Sequence, residues 1–222
     1  MVSSDTERER LILERILSLK QMLKDEQGGP LELHELGICY YYLQNYEQAR
    51  AYWDQLIDAY PDYVELGTIH ALNVFCLIQE ELWSDAEPLL HERLSRYPTD
   101  TRLHAMLAYL LERTGRYTES MDRHRRVLEI DPDNLNSLNS LGYLLAMHGG
   151  PDDYDEAARC LTRAVREKPD HPAYLDSLGV LLARQGDRDR AQKALYRALR
   201  GAPENQEIMD HIRSFLIKSE ER

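Results

Sequence analysis

Cysteine, tryptophan and phenylalanine are scarce in this chain of 222 residues, at 3, 2 and 2 copies. Cys39, Cys76 and Cys160 are single, far apart and set among apolar neighbours, which excludes a disulfide framework and a Cys-x-x-Cys metal pair. Three lone thiols fit a reducing compartment, and a cytoplasmic protein is expected; a signal or anchor removed before the numbering begins would leave no trace. No apolar run approaches the roughly 18 residues of a membrane span. The opening MVSSDTERERLILERILSLK mixes charge with Leu and Ile at helical spacing, unlike a secretory signal. Alternating strand patterns and glycine-rich phosphate loops are also missing. His34-Glu35 lacks the second histidine of a zinc-protease helix, and no Ser or Cys has a base partner by pattern. The chain therefore reads as no enzyme, with no cofactor and no metal.

Positive charge is in deficit: 27 Lys and Arg stand against 39 Asp and Glu, for a net charge of −12. Residues 1–100 hold 8 basic and 19 acidic side chains, whereas residues 101–222 hold 19 and 20. Nucleic acid is thus not an expected partner. The arginines of the second half, such as Arg125, Arg159 and Arg163, read as a solvated outer face.

What the chain does have is a recurring unit, cleanest in His171 to Pro203, HPAYLDSLGVLLARQGDRDRAQKALYRALRGAP. Leu175, Leu178, Gly179 and Leu182 share one helix face, Gly186-Asp187 interrupts, and Ala191, Leu195 and Ala198 resume until Pro203. The unit resembles the tetratricopeptide repeat, with Leu175 at the Trp position, Leu178-Gly179 as the central pair, and Leu182, Ala191, Leu195 and Pro203 in register. Small residue and closing proline pair as Gly37/Pro61, Ala71/Pro98, Ala108/Pro132, Gly142/Pro169 and Gly179/Pro203, and each proline precedes the next small residue by ten. The second and fourth units are three residues longer than the others. In the fourth the surplus belongs to a turn over residues 148–153; in the second, which has no Gly or Pro from Leu77 to Trp83, it is expected to lengthen the helices. Gly37, Gly142 and Gly179 are read as packing glycines, because Gly inside a helix costs about 1 kcal/mol relative to Ala and stays where backbones approach closely. Tyr46, Trp83, Tyr117 and Tyr154 open the second helices, a pattern that Arg188 breaks, and His70 replaces the Leu that precedes the small residue elsewhere.

The resemblance implies an all-α, right-handed α-solenoid of five helix-turn-helix repeats with an extra helix at each end. The expected boundaries are 1–29 for an N-terminal amphipathic helix, 30–61, 62–98, 99–132, 133–169 and 170–203 for the repeats, and 204–222 for a C-terminal capping helix with Ile208, Ile212, Phe215 and Leu216 on its apolar face. The N-terminal helix, with Ile12, Ile16, Leu19 and Leu23 on one stripe, fits either a cap or a self-association element, so a homo-oligomer stays open.

In this family the first helices line a concave groove. Helical spacing puts Tyr41, Tyr42 and Phe75 on that face in the first two units, Arg102, Tyr109 and Arg113 in the third, Asn136, Asn139 and Tyr143 in the fourth, and Asp176 and Arg184 in the fifth. The aromatic end is either core covered by the N-terminal helix or an exposed site. At the polar centre, Asn136 and Asn139 would meet the backbone of an extended peptide, and Arg102 and Arg113 an acidic group. The expectation is a non-catalytic adaptor that binds a protein or peptide in this groove. A chaperone for a secreted or assembling subunit and a self-assembling scaffold are the alternatives.

Overall fold

The computed structural model describes residues 4–217 and contains twelve α-helices and no strand among them. They fall into two compact units that divide after Pro98. The first comprises α1 (Ser4–Lys24), α2 (Pro30–Tyr42), α3 (Tyr46–Ala59), α4 (Leu66–Gln79) and α5 (Trp83–Arg96). The second comprises α6 (Thr101–Arg113), α7 (Tyr117–Ile130), α8 (Leu135–His148), α9 (Tyr154–Glu167), α10 (Pro172–Arg184), α11 (Arg188–Gly201) and α12 (Gln206–Ile212), which continues as a π-helical turn over Arg213–Ile217. The expected N- and C-terminal segments extend beyond these limits, and residues 1–3 and 218–222 lie outside the described residues.

Short-range chemistry sets the helix ends. Asn45, Asn134, Asp187 and Asn205 accept the backbone N–H three residues on, and Asp100 accepts those of Arg102 and Leu103, so orphan donors at α3, α8, α11, α12 and α6 are satisfied. Pro30 and Pro172 occupy the first turns of α2 and α10, where a missing N–H costs nothing. Four of the turns inside the hairpins have three residues, and the middle one is left-handed in each: Gln44 at φ 57°, Glu81 at 56°, Gly115 at 78° and Gly186 at 82°. Gln44 and Glu81 hold this conformation at a cost of about 1–2 kcal/mol that the glycines avoid.

These turns correct the register expected for the second repeat. Its hairpin turn, residues 80–82, matches the turns of the first, third and fifth repeats, while the link before α4, residues 60–65, is longer than the four-residue links 97–100, 131–134 and 168–171. The surplus therefore precedes the small-residue position instead of following it. Val74, fully buried, takes that position: it lies nine residues before Trp83, as Gly37 does before Tyr46 and Ala108 before Tyr117. The ten-residue step from Pro61 to Ala71 is a coincidence of spacing. His70 then corresponds to Leu33 and His104, and the residue matching Leu36 is Asn73, buried and donating to Asp54 Oδ1 at 2.6 Å.

The packing glycines are required by side chains of the following helix more than by backbone approach. A Cβ on Gly37 would lie 2.0 Å from Trp53 Nε1, one on Gly142 2.5 Å from Leu161 Cγ, and one on Gly179 2.6 Å from Leu195 Cγ. The first, fourth and fifth repeats thus each seat one large second-helix side chain against the glycine. Leu90 in the second repeat and His124 in the third, both buried, hold the corresponding position, sixteen residues after Val74 and Ala108 as Trp53 is after Gly37. Ser120 Oγ donates to the Ala108 carbonyl at 2.8 Å and closes the same joint.

Both terminal helices cover apolar flanks. Ile16 and Leu19 of α1 are buried with Leu36 and Cys39 of α2, and Arg15 makes a bidentate pair with Glu35 at 2.6 and 2.7 Å. Ile208, Ile212 and Leu216 pack with Leu175, Leu182, Ala191, Ala194, Leu195 and Ala198 of the last repeat. Arg188, the exception to the aromatic pattern, donates to the Leu216 carbonyl and so holds the end of the π-helical turn.

Candidate functional site

In the second unit the first helices α6, α8 and α10 carry the polar face foreseen in the sequence, and α12 lies against part of it. Tyr143 on α8 and Asp176 on α10 are joined through His211 of α12: the Tyr143 hydroxyl is 3.2 Å from His211 Nε2, and His211 Nδ1 is 2.8 Å from Asp176 Oδ2. His211 and Asp176 are buried. Burial opposes the imidazolium, but the hydrogen bond and charge of Asp176, with Glu207 and Asp210 nearby, outweigh it and hold the His211 pKa above its ordinary value. Phe215, one turn beyond His211, lies under the Arg184 guanidinium, 5.5 Å from ring centroid to Cζ, and Arg184 also reaches the Met147 carbonyl at 3.4 Å. Asp176 and Arg184 were expected to face a peptide; here α12 engages both.

The rest of the polar face is more open. Asn136 is exposed, and its Oδ1 accepts from the Tyr174 hydroxyl at 2.9 Å. Asn139, one turn on, has an Oδ1 that is buried and without a hydrogen-bond partner. On α6, Tyr109 is 45% exposed and Arg113 is exposed. Arg102 is exposed too, but its guanidinium is tied to Asp100, with Nη2 to Oδ2 at 2.9 Å. That carboxylate sits at the start of α6, so the charge expected to favour an acidic partner is largely neutralised within the chain. Glu112, one residue before Arg113, is half-buried; burial pushes its carboxyl pKa up, Glu207 adds to the effect, and Arg113 offsets part of it. Burial also raises the Tyr143 phenol, helped by the charges of Glu207, Asp176 and Glu112 and a hydrogen bond to Glu207.

In the first unit the aromatic residues do come together. Tyr41 is the hub, with ring centroids 5.9 Å from both Tyr42 and Phe75, 6.1 Å from Tyr46 and 6.2 Å from Trp53. Tyr41 belongs to the core cluster around Trp53, and Cys76 is fully buried there, so much of this end is core. Tyr42 remains 57% exposed with Arg8 of α1 5.4 Å over its ring. All three cysteines are buried; burial raises the Cys76 thiol pKa to about 12 and keeps it an inert hydrophobe.

Sequence reasoning did not place Glu207, His211 and Phe215 at the site. Their i, i+4, i+8 spacing on α12 was the available signal, but Phe215 reads as part of the apolar face of a cap, and Glu207 and His211 as polar residues beside it.

Models of the tetratricopeptide repeat match residues 30–63, 103–138 and 152–206, together more than half of the chain. The chain belongs to the tetratricopeptide repeat family. A TPR repeat-containing protein of Pseudomonas aeruginosa is 34% identical over 134 residues, which is 60% of this chain and 22% of that protein. The chain spans only 22% to 27% of the length of the first three curated relatives it matches. Among solved structures, a tetratricopeptide repeat protein from Parabacteroides merdae matches with a TM-score of 0.73 at 12% identity, covering 86% of this chain and 73% of that one. YrrB, described as a TPR protein with an unusual peptide-binding site, matches with a TM-score of 0.64 at 16% identity, covering 88% and 97%. At these identities the two structures establish the fold alone. The family fold is one of protein–protein interaction, and its members are in general non-catalytic scaffolds.

Proposed function

We propose that this protein is a non-catalytic cytoplasmic adaptor that binds a peptide or protein segment on the first-helix face of its second unit. The contact surface is Arg102, Tyr109, Arg113, Asn136, Asn139 and Tyr143, with Asp176 and Arg184 acting through α12. The observation that supports this is the Asn139 side-chain carbonyl, buried and without a donor, one turn from exposed Asn136 on α8. An unpaired buried acceptor costs about 1–3 kcal/mol, which rotation of the Asn139 amide outward onto a backbone N–H of an incoming segment would relieve. Once a partner is isolated by pull-down, Asn139→Ala is expected to weaken its calorimetric affinity about ten-fold or more, and Arg102→Ala less, because Asp100 already holds that charge. Full affinity in Asn139→Ala, with loss instead in Tyr42→Ala or Phe75→Ala, would move the site to the first unit and favour the chaperone reading.

A self-assembling scaffold is the second reading, favoured by Leu13 at 47% and Leu17 at 70% exposure on the side of α1 away from α2. Light scattering across concentration separates the two: an adaptor keeps a constant mass, whereas a scaffold grows.

A further inference from the structure

The second helices α9 and α11 leave an opening over α10. Between them lies a cavity of about 390 Å³, partly open to solvent, on the side of α10 opposite Asp176 and Arg184. Its floor is apolar: Leu175 and Leu182 belong to the buried core of the last repeat, and Val165 and Leu178 pack against that core while staying partly accessible. The furrow before it is bridged instead. There Arg125 of α7 reaches Glu156 of α9 in a bidentate pair at 3.0 and 2.9 Å. Counted from the start of each second helix, the same two positions are Thr162 on α9 and Arg190 on α11, which both line the cavity and have no carboxylate to join them.

The rim is basic. Arg190, Lys193 and Arg197 recur at i, i+3 and i+7 along one face of α11, and the described residues that line the cavity include no carboxylate. α11 as a whole carries five basic side chains and one acidic, in a chain whose net charge is −12. Arg190 pairs with Asp187 and Arg197 with Asp170, both at 2.6 Å. These pairs are exposed, so each is worth little and occupies only part of a five-donor guanidinium. Lys193 forms no ion pair among the described residues. The acidic remainder of the chain does not cancel this stripe, since salt screens charges more than about 8 Å away at physiological strength.

A cavity of this size lies near the small end of the roughly 300–1,000 Å³ of ligand pockets and takes one or two side chains. Its rim selects their neighbours. A basic segment would meet three like charges, and a wholly apolar one would leave the donors of the rim unanswered. We infer that the outer face between α9 and α11 docks an acidic amphipathic segment of a protein partner, which inserts an aliphatic side chain against Val165 and Leu178 and sets its carboxylates along Arg190, Lys193 and Arg197. An apolar anchor ringed by charge-assisted hydrogen bonds is the common layout of a protein interface. This surface is separate from the first-helix face and stands independently of it; with both occupied, the chain would link two partners.

The test is an NMR titration of the full chain with three capped octapeptides, followed at the methyl groups of Val165, Leu178 and Ala194. The first, Glu-Leu-Ala-Glu-Leu-Ala-Ala-Glu, repeats the i, i+3, i+7 spacing of the rim in acid; in the second Lys replaces each Glu, and in the third Ala replaces each Leu. The acidic leucine peptide is expected to shift all three methyl signals saturably, and the other two to bind about ten-fold more weakly or worse. Thr162→Arg combined with Arg190→Glu installs the bridge of the preceding furrow and is expected to weaken the acidic peptide about ten-fold, as is the single exposed change Lys193→Glu. Circular dichroism of each variant checks that the fold is kept. Equal binding of the acidic and lysine peptides, full affinity in both folded variants, or no saturable shift with the acidic peptide at millimolar concentration would overturn the inference. So would flotation of the chain with phosphatidylserine vesicles and no response to the peptides, which would assign the basic stripe to a membrane surface.

Discussion

Acid should destabilise the second unit through His124, and a single substitution should remove the effect. His124 holds the position that Trp53, Leu90, Leu161 and Leu195 hold in the other repeats; it is 5% exposed, and its Nδ1 lies 3.3 Å from Ser137 Oγ. Burial lowers its pKa to about 4. In the unfolded chain a histidine titrates near 6.5. A lowered folded value means that stability is complete above pH ~6.5 and is lost as the pH falls toward 4, because the unfolded chain takes up a proton that the native state refuses. Linkage between these two values gives a loss of about 2 kcal/mol between pH 7.5 and pH 5, and about 3 kcal/mol by pH 4. His124→Leu installs the side chain that three of the other four repeats use and abolishes this proton uptake. Its cost, one weak contact to Ser137, is small because a helical serine can turn to a carbonyl of the preceding turn. Urea melts of wild type and variant at pH 7.5 and 5 should show near-equal stability at the higher pH and an advantage of about 2 kcal/mol for the variant at the lower. The difference between the proteins is the diagnostic quantity, since His70, also lowered to about 4, adds to the acid loss in both. His211 runs the other way, its raised pKa giving stability that is present below about pH 6.5 and fades as the pH climbs through the folded value. Parallel curves for wild type and His124→Leu would refute the reasoning and mean that His124 is protonated where it stands.

Two further outcomes follow from the packing. Gly179→Leu forces a side chain into the space of Leu195, whose Cγ would already be 2.6 Å from a Cβ, and should cost about 1–3 kcal/mol or more; an unchanged melting temperature would mean that the joint is loose. Deleting residues 204–222 uncovers the flank buried by Ile208, Ile212 and Leu216, each worth about 1.5–3 kcal/mol as an upper estimate, and should cause aggregation visible by light scattering; a stable monomeric truncation would remove the capping role.

The helical hairpins and the packing glycines could be read from the sequence because each depends on residues within a single hairpin. Gly179 receives Leu195 sixteen residues later in the same hairpin. The register of the second repeat escaped this reasoning, since Pro61 to Ala71 reproduces the regular spacing by chance and only the left-handed turn at Glu81 fixes Val74 as the packed position. The burial of His124 beside Ser137 was not legible either, since a lone histidine on a helix carries no pattern that says what will cover it. The proposed binding face depended most on tertiary structure. His211 meets Asp176 across 35 residues and Tyr143 across 68, separations at which helical periodicity carries no information. A helix pattern says which residues share a face, and it cannot say which other helix will lie on that face. Packing of Ile208, Ile212 and Leu216 onto the last repeat made that choice, and it carried His211 to Tyr143 of α8 and Asp176 of α10.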